Sequence, residues 1–332
     1  GERIHDYLKE MTDEVFSQYD VMSVGEVGSV TPEEGLKYTG TDKHELNMIF
    51  HFQHMELDQQ PGKEHWDLKP LELSDLKSVL TKWQKKLEHQ GWNTLFWCNH
   101  DQPRIVSRFG DDGEYHKTSA KMLATVLYFM KGTPYIYQGE EIGMTNAPFT
   151  RIEDYKDIQT INMYHKRVFE KGYDPNDVMR SILAKSRDHA RTPMQWNSGK
   201  NAGFTDGTPW LKVNPNFTAI NVEEAQGDPD SVLIYYKKLI SLRKQYADLM
   251  KGSFDLLLPD DPQLFVYMRE NSKQQLLSVN NFSKEQAVFQ WPKNCGKALA
   301  SLLLSNYNND DLADEMVFRP YESRVYLLDK TN

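Results

Sequence analysis

Two carboxylates each follow an apolar run that reads as a buried strand. Val21-Met22-Ser23-Val24-Gly25 runs into Glu26, and Thr94-Leu95-Phe96-Trp97-Cys98 runs into Asn99-His100-Asp101, with Pro103 stopping any continuation. Strand ends that carry acids and imidazoles are where α/β barrels keep their chemistry. Breaking a glycosidic bond takes one carboxylic acid to protonate the leaving oxygen. A second carboxylate attacks or stabilises the oxocarbenium-like centre, about 5–5.5 Å away in retaining enzymes. Glu26 and Asp101 are therefore candidates for acid-assisted glycoside hydrolysis.

The elements that must position these groups follow from hydrophobic spacing. Ile4–Ser17 is helical, Val21–Val24 a strand, Thr31–Gly40 a short helix and Glu45–Phe52 an alternating strand. Ser74 reads as the N-cap of a helix over Leu76–His89 that Gly91 ends. Thr94–Cys98 is the third strand, Ser119–Met130 an apolar helix and Pro134–Tyr137 the fourth strand. Strands alternating with helices imply a parallel sheet with crossover connections. A long insert follows Met144, with helix-like runs at Ile158–Glu170 and Asn176–Lys185, before an amphipathic helix over Ser231–Lys244. From Phe254 the pattern turns to short β-rich runs: Leu256–Leu258, Leu264–Arg269, Gln275–Asn280, Ala287–Gln290, Met316–Phe318 and Ser323–Leu328.

Three stretches make the pattern specific. These are Gly132-Thr133-Pro134-Tyr135-Ile136-Tyr137-Gln138-Gly139-Glu140-Glu141-Ile142-Gly143-Met144, the Gly25-Glu26 strand end, and Ser186-Arg187-Asp188-His189-Ala190-Arg191-Thr192-Pro193-Met194-Gln195-Trp196. With Asn99-His100-Asp101, they resemble the α-amylase family, glycoside hydrolase family thirteen, in its oligo-1,6-glucosidase and trehalose-6-phosphate hydrolase branch. The resemblance implies the C-terminal half of a (β/α)8 TIM barrel, strands five to eight, over residues 1 to about 250, with an insert at about 145–230. An antiparallel, β-sandwich-like domain is expected over 251–332.

The resemblance implies Glu26 as general acid, Asp101 as the carboxylate that stabilises the transition state, and His100 and Arg187 as sugar binders. An ion pair between Arg187 and Asp188 is the structural alternative. Asn99 is expected to shape its turn, and Arg191, Met194 and Trp196 to anchor their loop. The family's nucleophile is an Asp in a Gly-Phe-Arg-x-Asp motif, and that motif does not occur in this sequence. Asp6, Asp13 and Asp20 are the aspartates upstream of Glu26, and none follows an apolar strand. The chain is thus expected to be a piece of a larger enzyme, inactive alone, whose missing partner is the N-terminal half of the same barrel.

The net charge of −9 argues against nucleic acid, which needs clustered Lys and Arg. No run of about eighteen apolar residues predicts a membrane span. Gly1–Asp6 does not read as a signal peptide, and the two cysteines, Cys98 and Cys295, are unlike a disulfide framework, so a cytoplasmic setting is expected. His51 and His54, three apart on a strand, point to opposite faces and argue against a metal site. Lys82, Lys85 and Lys86 read as a solvated helix face, and Gly139–Gly143 as a structural rim motif. No cofactor or metal is expected.

For substrate, Trp97–Arg104 and Ile161–Tyr164 are more similar to trehalose-6-phosphate hydrolases, and Val27–Glu34 to oligo-1,6-glucosidases. Trehalose 6-phosphate is the first expectation, and α-1,6 gluco-oligosaccharides are the second. Met55-Glu56-Leu57-Asp58 supplies acids where a phosphate would want cations, with Lys63 and His65 following, and Gln159 stands where relatives carry Glu. Amino-acid-transporter heavy chains share this fold as noncatalytic membrane partners. Glu26, Asp101 and the absence of a span count against that reading.

Overall fold

The computed structural model describes residues 1–43, 45–292, 300–308 and 312–330. Helix α1 (Ile4–Glu14) leads to β1 (Val24–Glu26), α2 (Pro32–Thr39) and β2 (Met48–Phe50). Then come α3 (Leu73–Lys86), β3 (Thr94–Leu95), the short α4 (Ile105–Phe109), α5 (His116–Tyr128) and β4 (Thr133–Pro134). Local signals place the helices. Thr31 and Glu34 form a reciprocal capping box around Pro32, so the Thr31 and Glu34 amides are satisfied and Pro32 has none to satisfy where α2 starts. β1 pairs with β2 and β3 with β4, both in parallel. The Thr94 hydroxyl donates to the Ile49 carbonyl at 2.9 Å and ties β3 to β2.

The segment after β4 carries α6 (Ile158–His165), α7 (Pro175–Lys185), α8 (Asp188–Arg191) and α9 (Val222–Gly227). The Ser231 hydroxyl accepts from the Ile234 amide and opens α10 (Val232–Gln245), which α11 (Ala247–Met250) follows. Beyond them lie β5 (Ser253–Leu257), β6 (Leu264–Glu270), β7 (Gln274–Asn281), β8 (Ala287–Gln290), β9 (Ala300–Ser305), β10 (Glu315–Phe318) and β11 (Ser323–Asp329). β5-β6-β7-β11-β9 make an antiparallel five-stranded sheet, and β8 pairs antiparallel with β10. One face of the large sheet buries Leu264, Val266 and Leu277 against Phe289 and Phe318 of the small one. Its other face sends Phe265, Tyr267 and Leu276 into the core formed by α5, α10 and β3.

Several expectations are corrected. Strand ladders are shorter than the apolar runs: Val24–Glu26 for Val21–Val24, Met48–Phe50 for Glu45–Phe52, Thr94–Leu95 for Thr94–Cys98 and Thr133–Pro134 for Pro134–Tyr137. Phe96, Trp97 and Cys98 are nonetheless buried, because burial and ladder pairing are separate demands. Ser74 lies inside α3, whose flanking residue is Glu72. The Ile158–Glu170 run is α-helical to His165 and π-helical over Lys166–Glu170. β9 was not expected, and Leu258 leaves the strand with φ +50°. His51 and His54 follow β2 in a turn, not on a strand, and their rings meet edge-on at 5.1 Å. Burial pushes both imidazoles toward the neutral form. Cys98 is a buried free thiol, and Cys295 lies outside the described residues. Among the described residues, no helix is long and apolar enough to cross a membrane.

Candidate active site

The ends of β1 and β3 open onto one cleft of about 330 Å³, lined by Glu26, Glu56, Asp101, Lys185 and Arg187 among others. Glu26 is the last residue of β1 and is exposed. Gly25 lets that strand lie close to its neighbour: a Cβ there would sit 2.7 Å from a Leu46 methyl. On the other side, the Asn99 carboxamide accepts from the Asp101 amide at 2.7 Å, a side-chain turn that throws Asp101 outward. Asn99 thus shapes the turn, as expected from the sequence.

Arg104 fastens this turn from beneath. Its buried guanidinium donates to the carbonyls of Gln138 (2.5 Å), His189 (3.1 Å) and Ala190 (3.3 Å), joining the loop after β3 to the end of β4 and to α8. The loop can therefore hold Asp101 still although no ladder supports it.

Arg187 does not pair principally with Asp188. Its Nη2 lies 2.5 Å from Asp157 Oδ1 and its Nη1 lies 3.3 Å from Asp101 Oδ1. Arg191, expected only to anchor a loop, reaches the same Asp101 oxygen at 2.5 Å. His100 Nε2 stands 3.6 Å from Asp101 Oδ2, with two-thirds of its side chain exposed at the rim. Glu26, Asp101 and Arg187 are thus brought to one cleft, and His100 is adjacent through Asp101. Trp196 is half exposed and Met194 is buried.

A second charged group escaped the sequence reading. Asp58 accepts from Arg108 Nη2 at 2.7 Å and from Lys185 Nζ at 2.6 Å. Burial opposes its ionisation, but the two cations overcome that and hold its pKa below the usual value. Lys185 is pulled down to about 8 by burial and by Arg108 alongside it. Burial raises the Glu56 carboxyl, and burial with the nearby cations lowers His65 to about 4. Arg108 also donates to the Gln102 side chain at 2.7 Å, next to Asp101.

Two sequence signals pointed this way. Asp157 caps α6 by accepting from the Gln159 and Thr160 amides, the expected place for an Asp before an apolar helix. Arg187 and Arg191 are four apart on a helical turn, which aligns their side chains. Among the described residues no cluster of three or more His, Cys, Asp or Glu is arranged to hold a metal.

An α/β region whose acids, Glu26 at the end of β1 and Asp101 in the loop after β3, line one cleft, followed by a two-sheet antiparallel β region, defines the class, and similarity gives its family. Residues 1–252 match "Alpha amylase, catalytic domain", and residues 264–325 match "Alpha-amylase SusG C-terminal domain". The chain belongs to the α-amylase family. It is 97% identical over 332 residues to a Bacillus subtilis protein called "Probable oligo-1,6-glucosidase 2", covering all of this chain and 59% of that one. It is 47% identical to the trehalose-6-phosphate hydrolase of the same organism, covering 99% of this chain and 59% of that protein. The crystal structure of Bacillus licheniformis trehalose-6-phosphate hydrolase superposes with a TM-score of 0.95 at 46% identity, over 99% of this chain and 60% of that one. The chain thus spans 59% of the length of these curated relatives.

Proposed function

We propose that residues 1 to about 250 are strands five to eight of a (β/α)8 barrel, with an all-β domain over 251–332. Joined to a preceding segment that completes the barrel, the chain is a retaining, exo-acting α-glucosidase for neutral α-1,6-linked glucosides. Glu26 is the acid that protonates the leaving oxygen. Asp101 accepts sugar hydroxyls and favours the distorted transition state. Arg187 and His100 bind the same sugar. The nucleophile comes from the preceding segment. The observation that carries this reading is the meeting of Glu26, Asp101 and Arg187 in one cleft.

The substrate order reverses the one expected from sequence. Each Lys or Arg lining the cleft among the described residues already faces a carboxylate: Arg108 and Lys185 face Asp58, and Arg187 faces Asp157 and Asp101. His65, with its pKa near 4, is neutral at pH 7. A phosphate would have to compete with those carboxylates, whereas a neutral sugar would not. The name carried by the relative at 97% identity points the same way. One feature favours trehalose 6-phosphate: Arg108 and Lys185 share a single carboxylate, a surplus of one positive charge. Glu56, on the same cleft, offsets it.

The test is kcat/KM for isomaltose against trehalose 6-phosphate, on the chain joined to its preceding segment, at two salt concentrations. Isomaltose should be preferred and its KM should hardly respond to salt. A preference for trehalose 6-phosphate, with binding that weakens as salt rises, would restore the other order.

A further inference from the structure

Asp101 and Asp157 face each other across two guanidiniums. Asp101 Oδ1 meets Arg187 Nη1 at 3.3 Å and Arg191 Nη2 at 2.5 Å. Asp157 Oδ1 meets Arg187 Nη2 at 2.5 Å and Arg191 Nη1 at 3.7 Å. The four side chains therefore close a ring of alternating sign, Asp101–Arg187–Asp157–Arg191. Asp101 has 35% of its side chain exposed to the cleft, while Asp157 has 1%. The ring is buried at one end and open at the other.

The buried end is fixed. Asp157 Oδ2 accepts from the Thr160 amide at 3.1 Å and the Thr160 hydroxyl at 2.8 Å. Its own amide donates to Asp188 Oδ2 at 2.9 Å, as does the Lys156 amide at 2.6 Å. Arg191 is braced in turn, its Nε donating to the His100 carbonyl at 2.9 Å.

We propose that Asp157 and Arg191 are positioning residues for the reaction. The ring pins Asp101 Oδ1, so that Oδ2 faces the sugar, and Asp157 draws off part of the charge of both arginines. An ionised carboxylate has about four acceptor positions in all. Guanidiniums committed wholly to Asp101 would compete with the sugar hydroxyls for them. This inference rests on the glycosidase reading of the same cleft.

Removing either partner unbalances the ring in opposite senses. Without Asp157, both arginines turn to Asp101 and take up its remaining acceptor positions. Without Arg191, Asp101 Oδ1 loses the shorter of its two guanidinium contacts and the carboxylate is free to turn. The charged or titratable groups in contact with Asp101 are Arg187, Arg191 and His100, with Glu26, Glu56, His65, Arg108 and Lys185 on the surrounding cleft.

The experiment is steady-state kinetics on isomaltose, with the chain joined to its preceding segment. Asp157→Asn and Arg191→Met should each lose about ten- to a hundredfold in kcat, with KM changed by no more than about twofold. Arg191→Lys, which keeps the charge without the fork, should lose nearly as much as Arg191→Met. Losses that fall in KM with kcat unchanged, or no loss in either variant, overturn the ring. A wild-type protein that hydrolyses no α-glucoside overturns the glycosidase reading instead.

Discussion

At the end of β1, Glu26 is exposed on a strand whose one ladder neighbour among the described residues is β2. In the loop after β3, Asp101 is gripped by two arginines and follows Phe96, Trp97 and Cys98, each 3% exposed or less. The apolar residues ahead of β1 are the opposite, although Met48 and Ile49 beside it on β2 are buried. No residue of α1 is buried, and Tyr7, Val15, Tyr19, Val21 and Met22 are 47% to 65% exposed. Both sites obey one local rule, an apolar run ending in a carboxylate. Packing finishes one and leaves the other open. An edge strand beside exposed apolar side chains is a surface that association would cover. The proposed preceding segment is the cover that fits.

The largest test of this contrast is chemical. With the barrel completed, Glu26→Gln should lower turnover of isomaltose by about 10²–10⁴-fold, and should cost much less on an activated aryl glucoside, whose leaving group needs no proton. Equal losses on both substrates would remove Glu26 from the acid role.

Stability should divide the two regions next. Trp97 is fully buried and its indole donates to the Leu123 carbonyl at 2.8 Å. Trp97→Ala should cost about 3–5 kcal/mol in denaturant unfolding of the chain. A cost below about 1 kcal/mol would mean that the β3 side is no better packed than the β1 side.

A pH test probes the floor beneath the Asp101 side. Burial, partly relieved by hydrogen bonds from Tyr128 and Tyr236, raises the Glu140 carboxyl from 4.5 to about 7. The folded state then holds this proton more tightly than the unfolded state does. The resulting stability is complete below about pH 4.5 and is lost as pH rises through about 7, a decline of about 3 kcal/mol. Buried His54 and His189, lowered to about 4, act in the other direction and cost stability as pH falls from 6.5. The stability difference between wild type and Glu140→Gln isolates the carboxyl: it should shift against the wild type as pH rises from 4.5 to 7. A difference independent of pH would place an ionised Glu140 in the fold.

The smallest expected effect closes the comparison. Tyr7→Ala and Met22→Ala, on the open side, should change the stability of this chain by no more than about 0.5 kcal/mol. In the completed barrel the same changes should cost more. Equal effects in both would leave the β1 face uncovered in the longer protein.

Much of this was legible in local sequence, because the forces behind it are local. Caps and turn residues act within a few positions, so Thr31, Asp157 and Ser231 mark helix starts, and Asn99 marks the turn that carries Asp101. The apolar runs before Glu26 and Asp101 announced strand ends with acids on them. Ladder lengths were not legible, since Phe96 to Cys98 satisfy burial without pairing. β9 was missed because its pattern of partly buried residues alternates only weakly.

Sequence by itself determined the family and the alternating architecture, and it put forward Glu26 and Asp101 as the candidate acids, since each is written as a contiguous motif whose geometry is set by neighbours in the chain. Tertiary structure alone decided the charge partners. Asp101 meets Arg191 across 90 residues, Asp58 meets Lys185 across 127, and Arg187 turns from the adjacent Asp188 to Asp157, 30 residues away. Coulomb attraction and hydrogen bonding depend on distance in space and on the water excluded around a pair, and the chain acquires both only when the strand ends converge.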